Sequence, residues 1–225
     1  MTDSRLDRER ERLIQRLKDR GYITSSRVEA AFRVVPREEF VLPSAVDEAY
    51  RDTPLPIGHG QTISAPHMCA IMCEGLDLAP GMKVLEVGAG SGYHAALCGE
   101  LVKGIEPSES GTVYTVEIVE ALIDFAKGNL ERTGYSDIVK LIQGDGGIGL
   151  PEYAPFDRIL VAAAAPDIPP PLVEQLKPGG IMLIPVGSRG FYQELLLVKK
   201  EQDGRISSRR WGGVAFVPLT GEYGH

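Results

Sequence analysis

Three features of the chain predict an α/β fold: a mostly parallel sheet with helices on both faces and an N-terminal helical cap. From residue 83 onward, short β-prone runs alternate with stretches of helical period, the order that βαβ units produce. One run, residues 156–163, is largely apolar, as a central parallel strand buried on both faces must be. A glycine-rich turn at residues 88–92 joins the first run of the series to a helix.

Ahead of that series the pattern is helical. Leu6, Leu13, Ile14 and Leu17 recur at helical spacing over residues 6–18, and Gly21 ends the run. A second helix is expected after Thr24, Ser25 or Ser26, which are capping residues; it turns Val28, Ala31, Phe32 and Val35 inward and stops before Pro36. Residues 36–60 hold four prolines and read as irregular chain with short helical turns. Residues 65–78 read as a helix, with Pro66 early, where proline is tolerated. Strands are then expected at residues 83–87, 111–116, 139–143, 156–163, 180–185, 193–199 and 214–218, with helices at 93–101, 118–133 and 169–176. No repeat or linker interrupts the chain. The expected organisation is one domain over residues 1–225: helices and a substrate loop at 1–78, a core at 79–200 and a strand segment at 201–225.

Composition narrows the function classes. The chain has 225 residues, 43% of them hydrophobic and 24% charged, enough to bury a full core. A net charge of −7 argues against a general nucleic-acid surface, which needs clustered lysine and arginine. The basic residues between Arg5 and Arg20 alternate with Asp and Glu and read as a solvated helix face. No apolar run approaches the ~20 residues that span a bilayer, and the charged first twenty residues contain no secretory core. A cytoplasmic monomer that binds neither membrane nor nucleic acid is expected. Cys69, Cys73 and Cys98 do not pair with the four histidines at zinc-finger spacing. Cys69 and Cys73, four apart, read as a buried helix face, and no metal is indicated.

The turn Gly88-Ala89-Gly90-Ser91-Gly92 lets the backbone bend tightly and approach a ligand with no Cβ between. Dinucleotide-binding proteins use the same position, but their fingerprint wants Gly or Ala where Tyr93 stands here. Glu86, two residues ahead of the first glycine, is a poor neighbour for a pyrophosphate and a usable acceptor for an ammonium. S-adenosylmethionine carries an ammonium and a sulfonium and no phosphate. After the second strand, Glu117 can accept from both ribose hydroxyls. After the third, Asp145 in GDGG can accept from an adenine amino group or cap a helix. At the ends of three successive strands, these acids outline one crevice and predict a Rossmann-like class I methyltransferase fold.

The acceptor must be read elsewhere. Residues 49–68, AYRDTPLPIGHGQTISAPHM, have the composition of a shaped loop, which can be a plain crossover. Thr62, Ser64 and His67 stand at the start of a helix, where free N–H groups and the macrodipole can hold an anion such as a carboxylate. Within this stretch, GHGQTISAPHM (residues 58–68) resembles the signature of protein-L-isoaspartate O-methyltransferases. The resemblance extends through VPREEFV (35–41), VLEVGAGSGY (84–93), GDGGIG (144–149), AAAAP (162–166), QLKPGG (175–180), IPVG (184–187) and FVPLTG (216–221).

The resemblance implies methyl transfer from S-adenosylmethionine, leaving S-adenosylhomocysteine, to the free α-carboxylate of L-isoaspartyl residues in damaged proteins, the first step of their repair. Acceptance of D-aspartyl residues stays open. It places Ser64 as the active-site residue, with Ile63, Ala65 and His67 beside it against the substrate. Thr62, Ser64, Gly88, Gly90, Ser91, Gly92, Glu117, Asp145, Gly146 and Thr220 fall on positions toward the donor, as Glu86 does in the reading above. Ala162 and Ala215 depart from the family's pattern, where Thr and Arg are common. Two other readings stay open: a methyltransferase for a different acceptor, and a noncatalytic binding module that keeps the donor pocket.

Overall fold

The computed structural model describes residues 4–188 and 192–225. Helix α1 (Ser4–Asp19) buries Leu6, Leu13, Ile14 and Leu17. Helix α2 (Ser26–Val34) starts at Ser25, whose hydroxyl accepts the Val28 N–H at 3.2 Å, as the capping chemistry requires. Two short 3₁₀ turns, Arg37–Phe40 and Pro43–Glu48, lead into an antiparallel hairpin of β1 (Leu55–Gly58) and β2 (Gln61–Ile63). Helix α3 (Pro66–Leu76) follows with Pro66 in its first turn.

The core then runs β3 (Lys83–Val87), α4 (Tyr93–Val102), β4 (Thr112–Glu117), α5 (Glu120–Thr133), β5 (Val139–Gln143), β6 (Phe156–Val161), α6 (Pro170–Gln175), β7 (Leu176–Gly187), β8 (Gln193–Lys200) and β9 (Ile206–Val214). The seven strands lie in the order β5-β4-β3-β6-β7-β8-β9. The first five are parallel, and β8 and β9 add antiparallel to one edge. The order reverses at β3, which pairs with both β4 and β6. Parallel sheets open a crevice at the carboxyl ends of the strands flanking such a reversal.

Alternation along the strands divides the core in two. Val84, Val113, Leu160 and Leu183 face the layer built with α1 to α5, whereas Leu85, Val87, Ile159, Val161 and Met182 face a thinner layer that includes Leu172 of α6 and Leu219. The helical cover is therefore thick on one face and slight on the other.

Three sequence expectations change. The last strand is β9 at Ile206–Val214, ahead of the expected 214–218, which carries only an isolated bridge between Ala164 and Pro218. Along β9 nearly every residue is exposed, so no hydrophobic period marks it; its pairing with β8 makes it a strand. The hairpin of β1 and β2 is likewise hidden by its prolines and glycines. Strand β7 begins at Leu176, and residues 177–180 are absorbed by a register shift against β6.

Candidate active site

The glycine turn leaves β3 at the reversal point. Gly88 and Ala89 donate to the Val116 carbonyl at 2.9 and 3.2 Å, and φ is +92°, +54° and +84° at Gly88, Gly90 and Gly92. That left-handed backbone is what the glycines permit. Glu117, 5% exposed at the end of β4, holds the turn shut: Oε2 accepts the Gly90 N–H at 2.8 Å and Oε1 the Val119 N–H at 2.9 Å. A carboxylate has about four acceptor sites, so both oxygens keep capacity toward the cleft they line.

That cleft is narrow, about 60 Å³, and its walls include Gly88, Gly90, Glu117, Gly146 and Thr220. Gly146 is set by a close approach: a Cβ there would lie 2.4 Å from Val87 Cγ1. The chemistry of the wall fits an adenosine group. It offers one buried carboxylate for ribose hydroxyls, with apolar surface from Val116, Ile118 and Val119 on either side.

Four residues expected toward the donor are not among the residues that line this cleft. Asp145 accepts the Gly147 N–H on Oδ1 at 2.8 Å and the Glu222 N–H on Oδ2 at 2.7 Å, which fastens the C-terminal segment that carries Thr220 and leaves it, like Glu117, further acceptor capacity. Ser91 is 3% exposed and accepts Asn129 Nδ2 on its carbonyl, and Gly92 caps α4. Glu86 points to the opposite face of β3 from Leu85 and Val87, fully buried. The Thr115 hydroxyl donates to its Oε2, and Oε1 has no partner. Burial, and after it the Glu117 charge, push the Glu86 carboxyl up to about 8, against the pull of the Thr115 hydrogen bond. The period of two explains the misplacement: residue 86 shares a face with Val84, not with Val87.

A wider groove of about 670 Å³ opens beside the cleft, walled by Thr62, Ser64, Ala65 and His67 on one side and Tyr192, Ala215 and Phe216 on the other. The two cavities share Ala162 and Val217. The Ser64 hydroxyl makes no hydrogen bond to the chain among the described residues, which leaves it available to a ligand. Ile63, expected against the substrate, is 4% exposed, packs its side chain into the core and is not among the residues that line the groove. Thr62, expected toward the donor, lines this wider groove and not the narrow cleft.

The helix start is not the anion site that its sequence suggests. Pro66 has no N–H, the Met68 and Cys69 N–H groups donate to the Ala65 carbonyl, and Asp52 Oδ1 already accepts the His67 N–H at 2.9 Å. The same oxygen meets His67 Nδ1 at 2.8 Å. An internal carboxylate has taken the dipole's positive end.

Sequence reasoning also missed Arg37. It is 0% exposed, donates from Nε to the Ala49 carbonyl and from Nη2 to the Ser64 carbonyl, both at 2.8 Å, and lies 4.8 Å over the Tyr93 ring. It ties the Ser64 loop to the first residue of α4. The sequence signal was an arginine following Pro36, set between Val35 and Phe40, which are both buried. Gln61, which lines the cleft, lay unassigned within the 58–68 segment, and Tyr192, which lines the groove, carried no signal.

Comparison with known proteins agrees across the chain. The family model for protein-L-isoaspartate(D-aspartate) O-methyltransferase matches residues 8–224. A protein-L-isoaspartate O-methyltransferase of Methanopyrus kandleri is 61% identical over 217 residues, covering 96% of this chain and 93% of its own. The one from Hyperthermus butylicus is 59% identical, covering 96% and 90%. The crystal structure of a Plasmodium falciparum protein-L-isoaspartate O-methyltransferase in complex with S-adenosyl-L-homocysteine superposes with a TM-score of 0.82 at 31% identity, over 92% of this chain and 96% of that one.

Proposed function

The chain belongs to the protein-L-isoaspartate(D-aspartate) O-methyltransferase family, and from that premise we propose how its joined cavities methylate the free α-carboxylate of L-isoaspartyl residues with S-adenosylmethionine as donor. The observation that carries the reading is the junction at Ala162 and Val217, where a carboxylate-lined cleft opens into a groove floored by a free serine hydroxyl. When bound, the donor supplies a methyl on sulfonium; the carbon–sulfur bond breaks as a carboxylate oxygen takes the methyl, and the electron pair stays on sulfur.

The chain's part is binding and alignment. Glu117 accepts the ribose hydroxyls with the capacity left beside Gly90 and Val119, while Gly88, Gly90 and Gly146 allow close approach. Thr220 closes the cleft from the C-terminal segment that Asp145 fastens. Ser64 donates to the acceptor carboxylate and orients it without becoming a covalent nucleophile. A carboxylate of pKa near ~4 is ionised at neutral pH, so no general base is needed. Rate then follows from holding oxygen, carbon and sulfur in line. Among the described residues, the groove offers the hydroxyls of Thr62 and Ser64 and the edge of His67 to the carboxylate.

Radiolabelled methyl transfer to an isoaspartyl peptide, beside its aspartyl twin and a D-aspartyl twin, tests the proposal. Labelling of the isoaspartyl peptide above the aspartyl one is expected. Equal labelling would contradict repair, and no labelling with intact S-adenosylhomocysteine affinity would mark a binding module.

A further inference from the structure

Beneath the glycine turn, on the sheet face that α3 and α4 cover, three soft donors meet. The ligand atoms of Cys73 on α3 and of His94 and Cys98 on α4 all lie within 4.8 Å of one another. Cys73 Sγ is 3.6 Å from His94 Nε2. With metal–sulfur and metal–nitrogen bonds of about 2.3 and 2.0 Å, a shared ion gives a sulfur–nitrogen edge of about 3.6 Å; the longest separation would close by roughly 1 Å through side-chain rotation. His94 and Cys98, four apart, share one helix face. Cys73 and Cys98 are 1% and 0% exposed and His94 7%, and all the cysteines are free.

A second observation concerns charge. Arg37 is fully buried, its Nη1 has no partner, and it pairs with no carboxylate among the described residues. It stacks on Tyr93, the neighbour of His94. A buried cation without a counter-charge is unfavourable, and an anionic group beside it removes that cost.

We propose that Cys73, His94 and Cys98 bind one Cu(I) ion in trigonal S₂N coordination, with the Arg37 guanidinium as counter-charge. On binding, each thiol releases its proton to solvent and forms one copper–sulfur bond, and the imidazole lends its lone pair. The ion stays monovalent, so no oxidant or reductant is involved. Two thiolates and Cu(I) leave one negative charge, which Arg37 balances. Zn(II) fits less well, because a structural zinc site wants four ligands and the group offers three, all buried. Soft thiolates select Cu(I). Cys69 stays outside, its thiol donating to the Ser64 carbonyl at 3.9 Å. The ion would join α3, which follows the Ser64 loop, to α4, which follows the glycine turn.

The full chain, reduced and anaerobic, is warmed with Cu(I) delivered from its bicinchoninate complex, and retained copper is measured after competition with excess chelator. One equivalent is expected, with a rise in melting temperature, and a fall to below a tenth of an equivalent in Cys73→Ser/Cys98→Ser. Cys69→Ala is expected to keep the full equivalent. X-ray absorption at the copper edge of the wild-type protein, which needs no variant to fold, should show two sulfur and one nitrogen neighbours. No retention, a shell of oxygen and nitrogen alone, or undiminished retention in the double variant would overturn the proposal. Preferential retention of one equivalent of Zn(II) from an equimolar mixture would overturn the choice of ion.

Discussion

The cleft and the groove that we propose for donor and acceptor share Ala162 and Val217, yet they are built differently. The cleft, about 60 Å³, is walled by strand ends and the turn between them, and the Glu117 carboxylate fixes that turn by accepting the Gly90 and Val119 N–H groups. The groove, at about 670 Å³, lies between a hairpin-to-helix corner and the coil after β9. A sheet edge fixes groups for a ligand that never varies. Loops framed by a rigid scaffold suit an acceptor whose surroundings change from protein to protein. The buried Arg37, bonded to the Ser64 carbonyl and stacked on Tyr93, links the two.

The comparison is sharpest when one side is damaged alone. Glu117→Ala removes the acceptor of two backbone N–H groups and, in our reading, of the ribose. S-adenosylhomocysteine affinity by calorimetry should fall by about 3 kcal/mol, roughly a hundredfold, with the peptide KM much less affected. A small change in affinity would break the assignment of the cleft.

The next effect isolates the layer beneath the cleft. Glu86 is held protonated to about pH 8 in the folded protein, whereas in the unfolded chain it ionises near its ordinary value of 4.5. Between those values the native state carries a proton that the unfolded state has lost, so stability is greatest at the acid end and declines as pH rises through the window. The slope is at most about 1.4 kcal/mol per pH unit. Melting temperatures of ligand-free protein from pH 6 to 9 should therefore fall more steeply for wild type than for Glu86→Gln, and parallel curves would remove Glu86 as the cause.

Ser64→Ala tests the groove. Loss of one hydrogen bond to a charged acceptor should lower kcat/KM for an isoaspartyl peptide by about 1.5–2 kcal/mol, roughly ten- to thirtyfold, with S-adenosylhomocysteine affinity within about twofold. Unchanged turnover would take Ser64 out of the reaction. The smallest effect is expected at the junction. Ala162→Val adds two methyl groups where the cavities meet and should weaken both donor affinity and peptide KM by under about 1 kcal/mol each; a loss confined to one would show that the cavities are separate.

Much of this was legible in the chain. Residues 83–92 announced a strand, a glycine turn and a helix, and Glu117 announced a carboxylate at the next strand end, because both motifs are local in sequence. Ser64 was legible through the 58–68 segment. What stayed hidden depended on neighbours distant in the chain. Asp52 takes the start of α3 from fifteen residues away, Asp145 is claimed by Glu222, and β9 exists only through its pairing with β8.

By itself the sequence determined the α/β class, the donor turn and the loop that chooses the acceptor, since periodicity, glycine content and short motifs act within a few residues. Only the tertiary structure decided which face Glu86 takes, which donors of α3 remain free, and that Cys73, His94 and Cys98 meet. The physical reason is that burial and charge compensation are properties of the packed interior, where residues far apart in the chain share one desolvated space.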